Sequence, residues 1–181
     1  MKAYFILLIG ILTFLSSIVL ACQPEAEKKK KVGIENLEEK IIDANKQIVR
    51  DESKDVALLL QRYGWEMEST GTGMYYAIES NEEGALLQKG DAVDIAYSIS
   101  LISGEEVYSS KKEGFKTIKI EQSDEPTGLH ELLKMMRVGD KAKAIIPSHL
   151  AYGILGDNKQ IPPYATLIYR IEIINFHINN K

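Results

Sequence analysis

Cysteine is almost absent. The chain of 181 residues carries one, Cys22, which excludes an internal disulfide framework and any metal site built on a cysteine cluster. Histidine is scarce as well. His130, His149 and His177 stand far apart, without the short spacings that hold a metal ion, and each reads as a surface or loop residue. An excess of positive charge is missing: 22 Lys and Arg face 26 Asp and Glu, for a net charge of −4. A basic surface for nucleic acid is therefore not expected. Phosphate-binding loops are missing too, because Thr70-Gly71-Thr72-Gly73 lacks the strand-to-helix setting and the lysine that such loops need. Paired carboxylates such as Glu105-Glu106 fall in a turn signal and read as solvated. No acid–base or covalent machinery stands out, and no cofactor or metal is called for. What remains is an ordinary globular composition, 45% hydrophobic and 27% charged, long enough for one domain and its appendages.

Long apolar runs occur once, at the start. Lys2 precedes the run Tyr4 to Leu20, which ends at Ala21-Cys22. This pattern reads as a secretory signal over residues 1–21. The IVLAC ending resembles the bacterial lipoprotein cleavage site, which would make Cys22 the lipidated mature N-terminus and tie the protein to a membrane, the outer membrane being favoured. The competing reading is an uncleaved anchor, since the run nearly reaches bilayer length. Residues 22–33 are polar and lysine-rich and read as a flexible tether; Lys28 to Lys31 could also touch anionic head groups.

Residues 34–64 are helical in pattern. Ile34, Leu37, Ile41, Ala44 and Ile48 recur at spacings of three and four, and Val56, Leu59, Leu60 and Tyr63 continue the stripe. The polar stretch Arg50 to Asp55 leaves open two helices broken near Asp51 to Ser53 or one long bent helix. It also leaves open a dimerisation or partner-binding arm or a helix packed on its own domain. Strand signals follow. Met74, Tyr76 and Ile78 alternate, as do Val93, Ile95 and Tyr97; Ser103-Gly104-Glu105 marks a hairpin; Ile118 and Ile120 share a side. Leu129, Leu132, Leu133 and Met136 mark one face of a short helix that Gly139 ends. The expected layout is α+β, an antiparallel sheet wrapped around one short helix.

The richest stretch runs from Ala142 to Ile173. Pro147 stops the strand Ala144 to Ile146, since proline has no N–H for a ladder. Gly153 and Gly156 punctuate the loop that follows, and Pro162-Pro163 keeps its end extended. Thr166 to Ile173 alternates, with Leu167, Tyr169 and Ile171 on one face and Thr166, Ile168 and Arg170 on the other. Two strands thus hold a stiff loop bearing Tyr152 and Ile161, which suggests an apolar cleft with a hydroxyl at its mouth.

IPSHLAYG followed by IPPYATLIYRIEI, with the segment Gly128 to Gly139 before them, closely resembles the C-terminal signature of the FKBP-type peptidyl-prolyl isomerases. The resemblance runs from Gln88 to Ile174, and several spaced elements agree in order. It implies an FKBP-like domain over residues 65–181 and isomerase activity on proline-containing or unfolded polypeptides. It also implies the site. Tyr97 matches the tyrosine of the first long strand. Tyr152 matches the loop tyrosine whose hydroxyl bonds a ligand carbonyl. Ile161 matches the apolar residue before the prolines. Tyr169 falls where the family usually has phenylalanine, and Leu129 where many members have tryptophan. Val107 and Tyr108 stand where Phe-Asp is usual, and Pro126 falls where a backbone N–H normally receives the substrate carbonyl. These departures lead us to expect weak turnover, or a non-catalytic chaperone or binding module. Together with the lipoprotein signal, RYGWEMESTGTGMYYAI, TGLHELLKMM and the GDNKQIP loop resemble more narrowly the gliding-motility-associated FKBP-type lipoproteins of Bacteroidetes.

Overall fold

The computed structural model describes residues 25–80 and 84–177. The expected signal over residues 1–21 and the Cys22 lipidation site lie outside the described residues. The chain divides into two compact units, Met1–Gln47 and Ile48–Lys181.

Helix α1 spans Glu25–Tyr63, which corrects the reading of a flexible tether before Ile34. The sequence supplies the reason: Glu25 to Lys31 is made up of alanine, glutamate and lysine, all strong helix formers. Nor does the helix break near Asp51 to Ser53. Ser53 Oγ donates to the Val49 carbonyl at 2.8 Å, so its hydroxyl joins the helical ladder rather than competing with it. Lys54 pairs with Asp51 at 3.1 Å one turn back. In the first unit, Leu37, Ile41 and Ile42 are exposed.

In the second unit the strands are β1 (Glu68–Ser69), β2 (Tyr75–Glu79), β3 (Ala92–Leu101), β4 (Glu106–Ser109), β5 (Lys116–Lys119), β6 (Lys141–Ile146) and β7 (Leu167–His177). They form one antiparallel sheet in the order β1-β2-β6-β7-β3-β4, with β5 also on β3. Two short helices interrupt them, α2 (Ser110–Glu113) and α3 (Thr127–Leu133). The hairpin expected at Ser103 to Glu105 forms, with Gly104 at φ 95° and its N–H on the Leu101 carbonyl at 2.9 Å. Register shifts in β3 at Asp94/Ile95 and Ile99/Ser100 bend the sheet around α3.

The concave face carries the main core. Val93, Ile95 and Ile99 of β3 and Leu167, Tyr169 and Ile171 of β7 pack with Leu129, Leu132, Leu133 and Met136. The α+β layout inferred from the sequence is thus what forms. The outer face holds a second cluster. Ile145 and Ile168, opposite one another on β6 and β7, are covered by Val56 and Leu59 of α1. Each such side chain stabilises by about 1.5–3 kcal/mol when fully buried. The polar turn between the two halves of the α1 stripe also contributes, because Glu52 Oε1 accepts the Ser148 N–H at 3.2 Å and the Thr166 hydroxyl at 3.3 Å.

His130 corrects the sequence reading. It is buried in α3, where Nδ1 accepts the Glu121 N–H at 3.1 Å and Nε2 lies 3.1 Å from the Ser123 carbonyl. With Nδ1 accepting, Nε2 is the donor to Ser123, and the ring is a structural fastener for the chain entering α3. Its position one residue after the floor leucine hid this, since helical spacing alone does not show what a flanking loop offers.

Candidate active site

The trough is built where β3, β4 and β7 curl over α3 and the loop from Pro147 to Thr166 closes the end. Its residues come from each element. Tyr97 and Tyr169 lie on the concave face, diagonal to one another, since Tyr97 faces Ile171 and Tyr169 faces Ile99. Leu129 rises from the first turn of α3 and is 2% exposed. Val107 and Ile161 are buried in the same cluster, and Tyr108 and Tyr152 pack against it half-buried. All seven side chains singled out from the sequence are therefore brought together in one apolar cluster. Phe115, the residue before β5, is 67% exposed and takes no part in this wall, and the fully buried Ile118 of β5 stands in the cluster instead.

The loop is held open by specific bonds. Gly153 and Gly156 take φ of 60° and 66°, a left-handed conformation that glycine adopts without strain. Asp157 then grips Ile161 from both sides: its backbone N–H donates to the Ile161 carbonyl at 3.1 Å, and its Oδ1 accepts the Ile161 N–H at 2.8 Å. The Lys159 N–H adds a third bond at 2.9 Å, and Tyr108 donates its hydroxyl to Oδ2. Burial opposes the charge on Asp157, but these donors outweigh it and hold its carboxyl below the usual aspartate value. Tyr108 therefore ties the far strand to the loop. Sequence reasoning missed Asp157 as a functional residue. The Gly-Asp-Asn turn was its one signal.

Glu113 and Glu125 were also missed. Tyr97 Oη donates to Glu113 Oε2 at 2.7 Å, and Lys116 pairs with Glu125 at 2.6 Å. Burial, then the bond to Glu113, pushes the Tyr97 phenol well up. Burial, then the nearby Glu125 charge, pushes Tyr152 up to about 12. Tyr169 is raised well above the ordinary tyrosine range, again mainly by burial. All three keep their protons at neutral pH, so each is a neutral donor and none is a base.

Pro126 caps α3 at φ −51°, with its carbonyl taking the Leu129 N–H at 3.0 Å and the His130 N–H at 3.2 Å. It has no N–H to offer a ligand. A second concavity of about 720 Å³ lies over the outer face, lined among others by Trp65, Ala96, Ser98, Lys143 and Arg170. Lys143 already sits 4.1 Å over the Trp65 ring, and of the seven trough residues only Tyr97 lines this cleft. The candidate site is the trough. Among the described residues no group of His, Cys, Asp or Glu could hold a metal ion, and no helix is long and apolar enough to cross a membrane.

Fold and trough together define a class, an α+β domain with an aromatic groove between a curled antiparallel sheet and its single core helix. A family model described as FKBP-type peptidyl-prolyl cis-trans isomerase matches residues 84–174, half of the chain. A probable FKBP-type isomerase of Haemophilus influenzae is 26% identical over 155 residues, covering 82% of this chain and 64% of the relative. The FKBP-type 22 kDa isomerase of Escherichia coli is 32% identical over 108 residues, covering 60% and 52%. The crystal structure of FkpA from Escherichia coli aligns over 92% of this chain and 80% of its own with a TM-score of 0.61 at 22% identity, a likeness of fold. The chain belongs to the FKBP-type peptidyl-prolyl cis-trans isomerase family. It spans between half and two thirds of the length of these curated relatives.

Proposed function

We propose that the domain is a peptidyl-prolyl cis–trans isomerase acting on proline-containing stretches of unfolded polypeptides. The observation that carries this reading is the half-buried Tyr152, protonated at the edge of a cluster that also holds Leu129, Ile161 and Tyr169. The reaction needs no proton transfer. The barrier of about 18–20 kcal/mol is the resonance of the planar peptide C–N bond. Twisting removes that resonance and reduces the carbonyl's polarity, so a dry apolar groove favours the twisted state over the planar one. Tyr152 then holds the substrate through a neighbouring carbonyl while the prolyl ring rests against Leu129 and Ile161. Pro126 removes one donor from this scheme. A lost hydrogen bond of this kind costs about 1–3 kcal/mol, so turnover should be modest. The same feature favours the second reading, a groove that holds chains without turning them over.

A chromogenic proline-tetrapeptide assay on the full chain decides between them. Tyr152→Phe should cut kcat/KM by about tenfold, the value of one hydrogen bond to a polarised carbonyl. Wild-type protein no faster than buffer would leave only the binding reading.

The wider setting is also part of this proposal. We read the protein as an envelope lipoprotein similar to the gliding-motility-associated members of the family, held at a membrane through lipid on Cys22 with its domain facing the periplasm or the cell surface. Support comes from the position of the sole cysteine directly after a secretory pattern. Each buried CH₂ of such a lipid is worth ~0.8 kcal/mol. Cys22→Ala expressed in the native host should move the protein from the membrane to the soluble fraction, and unchanged retention would remove the lipid from the scheme.

A further inference from the structure

Taking the trough as a proline-peptide site leaves one of its groups without a task. Tyr169 is 1% exposed on β7, and its hydroxyl is buried with no partner within hydrogen-bond distance. A phenol in that state has lost its water and gained nothing, whereas phenylalanine would fill the same space without the penalty. The other polar groups nearby are taken. Tyr97 is committed to Glu113, Tyr108 to Asp157, and Glu125 to Lys116. Tyr152 is different. It packs against the same cluster, and its hydroxyl lies near enough to that of Tyr169 for each to act on the other's proton, yet outside hydrogen-bond distance.

We propose that Tyr169 is a positioning residue for Tyr152: when a proline-containing chain enters the trough, the Tyr169 O–H donates to Tyr152 Oη. The inference rests on the isomerase-site reading above. Once Tyr152 accepts that bond, its own proton is directed away from Tyr169 and outward to the substrate carbonyl, and a phenol that accepts a hydrogen bond is a stronger donor. The elements suit the roles. Tyr169 sits in a strand flanked by β6 and β3, which keeps it fixed. Tyr152 sits in a loop, so a small approach of its side chain closes the pair. The buried donor is thus a cost of the empty trough that the filled trough recovers, which is binding energy released only when substrate is present.

Tyr169→Phe, Tyr152→Phe and the double variant of the full chain test this, with thermal midpoint, kcat/KM on an Ala-Leu-Pro-Phe anilide, and affinity for that peptide by NMR titration as readouts. Tyr169→Phe should raise the midpoint, because an unpaired polar group is gone, and yet lower kcat/KM by about three- to tenfold. The double variant should be no worse than Tyr152→Phe alone. A merely structural hydroxyl would move the midpoint and leave turnover untouched, which overturns the proposal. So would single-variant losses that multiply in the double variant, or a lowered midpoint, which would mean that the hydroxyl was already bonded. If the wild type binds the peptide without accelerating isomerisation, catalysis is lost from the functional reading. The same non-additivity in affinity then supports the positioning role, and additive or absent effects reject it. Absence of any peptide binding overturns both.

Discussion

Leu129→Ala should lower the unfolding free energy by about 3 kcal/mol, within the 2–5 kcal/mol range for buried leucine truncations. Leu129 is 2% exposed, and Leu132, Leu133 and Met136 beside it are fully buried. Strands β3 and β7 face them across the core, paired along their length. A sheet paired on both sides cannot slump into the space that a lost isobutyl group leaves, so the void persists and the cost stays within that range. For a domain of this size the midpoint should fall by about 10 °C. Denaturant titration measures the free energy directly. Leu132→Ala is the control. It should cost as much stability, but Leu132 is not among the trough residues, so below both midpoints only Leu129→Ala should lose turnover as well. A loss under about 1 kcal/mol for Leu129→Ala would mean that the core closes over the gap, contrary to this packing.

Gly156→Ala should act chiefly on turnover, costing stability only locally and cutting kcat/KM by about ten- to a hundredfold, the scale of an ångström-sized misplacement. A Cβ there would lie 2.1 Å from the Ile161 carbonyl oxygen and 2.9 Å from the Pro162 carbonyl carbon, at a φ of +66°. Backbone cannot yield as a flexible side chain would. The Asp157 N–H to Ile161 bond must break, and with it the grip that keeps Ile161 buried and Tyr108 tied to the loop. Most of the hydrophobic core lies elsewhere, so the damage stays local. Gly153→Ala provides the contrast. Its φ is also +60°, but nothing lies within 4 Å of the added methyl, so only backbone strain of about 1 kcal/mol is expected. Equal loss of turnover in both variants would show that left-handed strain, and not the collision with Ile161, governs the loop.

Much of this architecture is legible in the residues because period-two and period-three-to-four patterns report which face is apolar. Val93, Ile95 and Tyr97 share their face as read, and Leu129, Leu132 and Leu133 of α3 and Met136 just after it all turn inward. Periodicity does not report what covers a face. Ile168 reads as belonging to the outer side of β7, and it does, but its burial beneath Val56 and Leu59 depends on a helix more than a hundred residues away. The same limit hid the carboxylates at the site. Glu113 and Asp157 matter because Tyr97 and Tyr108 reach them across the fold, and no local spacing encodes such pairs. Tyr152 was legible for the converse reason: a tyrosine in a glycine-punctuated loop has no strand neighbour to pack with, which singles it out.

Glu52 ends up with an office its sequence neighbours do not suggest. Its two partners, Ser148 and Thr166, are the posts on either side of the gate that carries Tyr152 and Ile161. One carboxylate oxygen on α1 therefore works like a drawstring around the neck of that gate. Anything that tugs α1 away from the sheet would slacken the neck without touching a trough residue. The two ends of the loop are thus bonded to a helix that lies upstream of the family-defining segment, residues 84–174.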